Sequence, residues 1–163
     1  MKARKARGNA NVKPLECVSP VKDKWRVRWD VEPDGEENAS YMEAELEHKP
    51  TANKVRALIC GWINDQTTEK IRSGFEYDGV PVWLSMENQA NYKAAHDLAV
   101  QTGGASLPVT FKLGADEKPV YKKFESLEEL TDFYTKALRH VQECLEEGWR
   151  KKDAIDWSLY EAG

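Results

Sequence analysis

The sequence predicts an α+β fold of three β-hairpin-plus-helix units, ββα–ββα–ββα, with antiparallel sheet and a long C-terminal helix. Three observations carry that prediction. Trp25–Val31 alternates apolar and polar positions strictly, Asp78-Gly79 separates two short apolar runs, and Ser126-Leu-Glu-Glu129 opens an apolar helical stripe. Their physical causes are separate: the strand pleat, a turn that needs positive φ, and reciprocal capping of a helix start.

Residues 1–20 read as a flexible basic N-terminal arm. Gly8, Pro14 and Pro20 punctuate them and no hydrophobic period appears. Lys2, Arg4, Lys5, Arg7 and Lys13 stand there without an acid, while the whole chain holds 24 Lys and Arg against 28 Asp and Glu. A cationic arm on an acidic body follows.

Residues 21–66 read as an N-terminal hairpin and helix. On the first strand Trp25, Val27, Trp29 and Val31 share one face, and Arg26, Arg28 and Asp30 the other. Tyr41 to His48 alternates again, with Met42, Ala44 and Leu46 apolar and Glu43, Glu45 and Glu47 polar. Pairing the two sets Arg26 and Arg28 against Glu43 and Glu45 on a face expected in water, at about 0.2–1 kcal/mol per cross-strand pair. Thr51 is placed to cap a helix carrying Val55, Leu58, Ile59, Trp62 and Ile63. Asn64-Asp65 is expected to break it before a short helical stretch at 67–72.

Residues 67–163 read as one further domain. The Asp78-Gly79 turn sets Tyr77 opposite Val80 and Phe75 opposite Val82 on a buried face. Glu76, Pro81 and Trp83 then share the outer face, and Pro81 marks an edge because it has no N–H for a ladder. Ser85 caps a helix at about 86–101, with Ala90, Ala94, Ala95 and Leu98 apolar and Gly103-Gly104 ending it. Leu107–Leu113 and Val120–Phe124 form a third hairpin around a turn at 114–118. The last helix carries Leu127, Leu130, Tyr134, Ala137, Leu138, Val141 and Leu145, and is expected to reach about residue 157, with Gly148 as a kink.

Several function classes lose support. No run of 18 apolar residues exists to span a membrane, and no apolar stretch follows the basic start as in a secretory signal. Cys17, Cys60 and Cys144 are odd in number and widely spaced, which fits a reducing cytoplasm better than a disulfide framework. No phosphate-binding loop, nucleophile elbow, dinucleotide fingerprint, H-E-x-x-H or C-x-x-C is present. The chain is therefore expected not to be an enzyme and to use no cofactor and no metal. His140 and Cys144, at i and i+4, are the best metal-like pair, and two ligands do not make a site.

The residues left to carry function are those that bind. Trp83, on the polar face of its hairpin, is either covered by another element or an exposed aromatic anchor. Asn91 lies near the apolar stripe of its helix, so it either bonds the adjacent hairpin backbone or meets a partner. Gln89, Trp149 and Trp157 complete the candidate partner-binding set.

The stretches Ile71-Arg-Ser-Gly-Phe-Glu-Tyr-Asp-Gly79 and Val82-Trp-Leu-Ser-Met-Glu-Asn-Gln-Ala-Asn91 resemble a tailed-phage and prophage domain of unknown function. Its hallmark is a G-F-x-Y-x-G hairpin followed by a Q-x-N helix start. Leu107-Pro-Val-Thr-Phe111 and Lys152-Asp-Ala-Ile155 extend the resemblance over about residues 68–157. Such domains are found near tail-fibre genes, and the family brings no catalytic residues. The resemblance implies a non-catalytic phage or prophage accessory protein, a tail-fibre assembly chaperone or minor tail component, in the host cytoplasm or on the virion. Its partner would be a phage tail or fibre protein, or a second copy through the last helix. The alternative is a nucleic-acid-associated protein acting through the basic arm, a reading that the acidic body disfavours.

Overall fold

A computed structural model of the chain describes residues 2–161. The order is β1 (Arg4–Asn9), β2 (Leu15–Ser19), β3 (Lys24–Pro33), β4 (Asn38–Glu47), α1 (Ala52–Ser73), β5 (Phe75–Tyr77), β6 (Val80–Val82), α2 (Met86–Gln101), β7 (Val109–Ala115), β8 (Lys118–Phe124) and α3 (Leu127–Asp153). The α+β class, the antiparallel pairing and the long last helix all follow the sequence reading. Two compact units result: Met1–Trp62 with Ala154–Gly163, and Ile63–Asp153. No helix among the described residues is long and apolar enough to cross a membrane.

The first unit holds a four-stranded antiparallel sheet in the order β1-β4-β3-β2. This corrects the expected arm at 1–20, which supplies both edge strands. The reason lies in the partner strand. Ala6 pairs with Tyr41 and Gly8 with Ala39, and a Cβ at Gly8 would sit 2.6 Å from the Tyr41 hydroxyl. Small residues were needed there, so no apolar alternation was visible. Arg4 meets Glu43 at 3.0 Å, Lys5 meets Glu32 at 3.6 Å and Arg7 meets Asp34, so these three cations are ion-paired.

Strands β3 and β4 pair in the expected register, Arg26 opposite Glu45 and Arg28 opposite Glu43. One face buries Leu15, Val27, Trp29, Ala44 and Leu46, and Trp29 meets Trp62 of α1 edge-on at 6.1 Å. Val31 is exposed instead of joining that face, because the register shifts after Trp29 and Asp30 takes φ +54°. The opposite face is not simply in water, which is a second correction. Arg28 and Glu43 are both buried there. Glu43 accepts from Arg28 Nε at 2.8 Å and from Arg4 Nη2 at 3.0 Å, and Arg28 Nη1 reaches Glu16 at 2.8 Å. The charges thus link all four strands in the order Arg4, Glu43, Arg28, Glu16. The returning tail joins this unit: Tyr160 donates its buried hydroxyl to the Arg28 carbonyl at 2.7 Å.

Helix α1 starts at the Thr51 cap, whose Oγ1 accepts from Lys54 N at 3.2 Å. It runs unbroken through Asn64 and Asp65. Both are exposed, so their polarity marks a solvated face and not an end.

In the second unit, Tyr77 faces Val80 and Phe75 faces Val82 as expected, with Asp78 at φ +50° and Gly79 at φ +76°. The core gathers around Phe133 of α3, whose ring lies 5.0–6.3 Å from those of Phe75, Tyr77, Tyr92, Phe111 and Phe124. Contacts of this geometry add to the area each ring buries. Helix α2 buries Tyr92 and Ala99 and packs Ala95 against the core, while Ala90, Ala94 and Leu98 of the expected stripe are exposed. Helix α3 buries Leu130, Phe133, Ala137, Cys144 and Gly148, and ends at Asp153. Gly148 is a contact point and not a kink: a Cβ there would lie 2.5 Å from Thr67 Oγ1.

Candidate functional site

The outer surface of the second unit is built by two hairpins and the start of α2. Trp83 follows β6 on the side away from the buried Val82 and Leu84, and is 48% exposed. Its position is held by the helix that follows. Ser85 caps α2 by accepting from Asn88 N at 3.1 Å, while the Asn88 side chain donates to the Trp83 carbonyl at 2.7 Å. Gln89 donates to the Leu84 carbonyl at 2.9 Å. Two side chains of the first turn thus lock residues 83 and 84 against the helix.

Trp83 and Asn88 line a cleft of about 400 Å³ together with Lys112, Gly114, Ala115 and Asp116. One wall carries an indole, and another a cation, an anion and exposed loop backbone. Lys112 lies opposite Tyr121 on the outer face of the β7–β8 hairpin, and Tyr121 is also exposed. An aromatic anchor beside polar groups of both signs is chemistry for gripping a polypeptide.

The predicted residues separate as follows. Trp83 is half-exposed and not covered by another element, and it lines the cleft with Asn88. Gln89 lines a small apolar hollow with Leu84, Tyr92, Tyr134, Ala137, Leu138 and Val141. Asn91 is exposed and does not reach the hairpin backbone; Asn88 and Gln89 do that instead. Of the expected stripe only Ala95 turns toward the core, and Asn91 lies with the exposed Ala90, Ala94 and Leu98. Trp149 is half exposed on α3. Trp157 belongs to the first unit, under the Arg56 guanidinium at 4.6 Å, and does not join the others. Lys112 and Asp116 were missed. The signal for Lys112 was its outward place in the alternating run Leu107–Leu113.

The titratable clusters are spoken for. Tyr77 donates to Asp132 at 2.9 Å, and Lys136 meets the same carboxylate at 3.0 Å. Burial, then the Asp132 carboxylate, raises the Tyr77 phenol far above its ordinary value, so it stays protonated and serves as a donor. His140 Nε2 donates to the Lys70 carbonyl at 2.9 Å and is the nitrogen that faces Cys144 at 3.6 Å. A nitrogen committed in this way presents no lone pair to a metal. Burial pushes the Cys144 thiol up. Among the described residues no three or more His, Cys, Asp or Glu side chains are grouped to hold a metal.

A family model described as a domain of unknown function, DUF4376, matches residues 54–162, more than half of the chain. No curated protein and no solved structure matches it.

Proposed function

The chain belongs to that family, DUF4376, and from the resemblance of residues 71–91 to a tailed-phage domain we propose that it is a non-catalytic phage or prophage accessory protein that holds a segment of a tail or fibre protein during assembly. The observation that carries the reading is the half-exposed Trp83 indole, pinned through its carbonyl by Asn88 on the rim of a 400 Å³ cleft. A half-exposed aromatic is costly to leave in water and valuable at the centre of an interface. Lys112 and Asp116 supply the polar rim that orients a bound segment. The hairpin and helix start that resemble the phage domain contribute Trp83 and Asn88 to the cleft, and the β7–β8 hairpin contributes the rest.

The nucleic-acid reading needs a free basic arm, and Arg4, Lys5 and Arg7 are instead paired with Glu43, Glu32 and Asp34 in the sheet. The test is co-expression with a tail-fibre protein taken from the genome that encodes this chain. Fibre trimer yield should depend on the chain, and Trp83→Ala should lower it about ten-fold, as expected for loss of a hot-spot residue. Equal trimer yield without the chain would end the proposal.

A further inference from the structure

The Trp83 cleft holds two charges that nothing within the described residues neutralises. Lys112 and Asp116 are exposed, and neither has an ion pair or a hydrogen bond there. Other cations of the same hairpin are satisfied. Lys122 meets Asp78 at 3.7 Å and Glu129 at 3.4 Å, and Lys123 meets Glu125 at 3.4 Å. Lys112 lies on β7 and Asp116 opens the turn after it, with Gly114 between them. Gly114 has φ +82°, and a Cβ there would sit 2.4 Å from the Lys118 carbonyl oxygen, so the position takes no side chain. One wall of the cleft thus runs from a cation over bare backbone to an anion, and the half-exposed Trp83 indole and Asn88 form the other.

We infer that the cleft selects an extended polypeptide segment with an acid and a base four residues apart and an apolar residue midway, in either chain direction. This rests on the reading of the cleft as a polypeptide grip and adds the sequence that is gripped. The spacing comes from the strand. Lys112 and Asp116 are four residues apart, at most about 13 Å at roughly 3.3 Å per residue, and an extended partner spans that length with four residues of its own. Alternation supplies the rest. Residues at i, i+2 and i+4 of an extended segment share one face. An acid over Lys112 and a base over Asp116 therefore set the midway side chain over Gly114, where the absent Cβ leaves room beside Trp83. An apolar side chain suits that place because it takes the indole out of water. The two ion pairs lie at the rim, where charge sets partner choice and register more than affinity. A segment of uniform sign would bring a like charge against Lys112 or Asp116.

The experiment is panning of a random dodecapeptide library displayed on yeast against the full chain, with Trp83→Ala as the counter-selection. The wild type should enrich an acid and a base at that separation, with an aliphatic or aromatic residue midway. Lys112→Glu should enrich two bases, and Asp116→Lys two acids. A synthetic peptide of the wild-type consensus should bind Lys112→Glu about ten-fold more weakly than wild type in calorimetry. Both charged sites are exposed, so folding is preserved, and far-ultraviolet dichroism checks it. No enrichment over Trp83→Ala, a consensus without the paired charges, or the same consensus from Lys112→Glu would each overturn the inference. The fibre reading fails separately: trimer yield indifferent to the chain would leave this peptide preference standing.

Discussion

Replacing Glu43 by glutamine tests the charged centre of the four-stranded sheet. The Glu43 side chain is 5% exposed and that of Arg28 6%. The amide keeps the shape and one acceptor but removes the charge that faces Arg28 at 2.8 Å and Arg4 at 3.0 Å. Removing one partner of a buried pair costs about 3–5 kcal/mol, because the other charge is left in a poor solvent. Arg28 keeps two acceptors here, Glu16 at 2.8 Å and the Lys13 carbonyl at 3.0 Å. The loss should therefore fall at or just below the low end, about 2–3 kcal/mol. The pH dependence has a fixed sign. Burial raises the Glu43 pKa, but the hydrogen bonds from Arg28 and Arg4 outweigh it, so the value lies below that of an ordinary glutamate. A depressed folded-state pKa gives stability that is present above the ordinary glutamate range and lost as pH falls through the folded value. Urea unfolding followed by Trp25, Trp29 and Trp62 fluorescence should show the gap between wild type and Glu43→Gln wide at neutral pH and closing in acid. A gap under about 0.5 kcal/mol at neutral pH, or one that widens on acidification, refutes the argument. The double change Arg28→Met with Glu43→Leu should be milder than Glu43→Gln, because it removes both desolvated charges together.

Two further outcomes follow from packing and burial. Gly148→Ala gains about 1 kcal/mol of helix propensity and meets Thr67 Oγ1, an overpacking cost of about 1–3 kcal/mol, so thermal melts should show a net loss. Adding Thr67→Ala removes that oxygen and should reverse the sign. Burial pushes the Tyr160 phenol up to about 12 from an ordinary 10.0, so its contribution to stability holds below pH 10 and fades between pH 10 and 12. Tyr160→Phe, which also loses the bond to the Arg28 carbonyl, should cost about 1 kcal/mol at neutral pH and flatten that alkaline limb in unfolding curves.

Local rules made much of the fold readable. The Asp78-Gly79 turn fixed its hairpin register, and Ser85, Thr51 and Ser126 each cap the helix expected of them, Ser126 accepting from Glu129 N at 3.1 Å. What could not be read depended on partners distant in sequence. β1 has no apolar face because its inward residues are Ala6 and Gly8 under a tyrosine, and an arginine paired to a buried glutamate. β2 buries only Leu15, one apolar residue being too few to show a period. In α2, Tyr92 with Ala95 and Ala99 defines the buried side while Ala90, Ala94 and Leu98 face out, and a helix of mixed small and polar residues hides such a choice. For the surface, Trp83 was visible as an outward aromatic, but its neighbours Lys112 and Asp116 come from a hairpin about thirty residues on.

The return of residues 154–161 to the first unit sets an order of maturation. Everything that builds the Phe133 core has left the ribosome once Asp153 has emerged, so that unit can close on contiguous chain. The segment synthesised first must wait for a much later one: the Arg28 carbonyl receives its tyrosine only when residue 160, 132 positions on, arrives. The unit whose strands are made first is thus the one closed by the later chain.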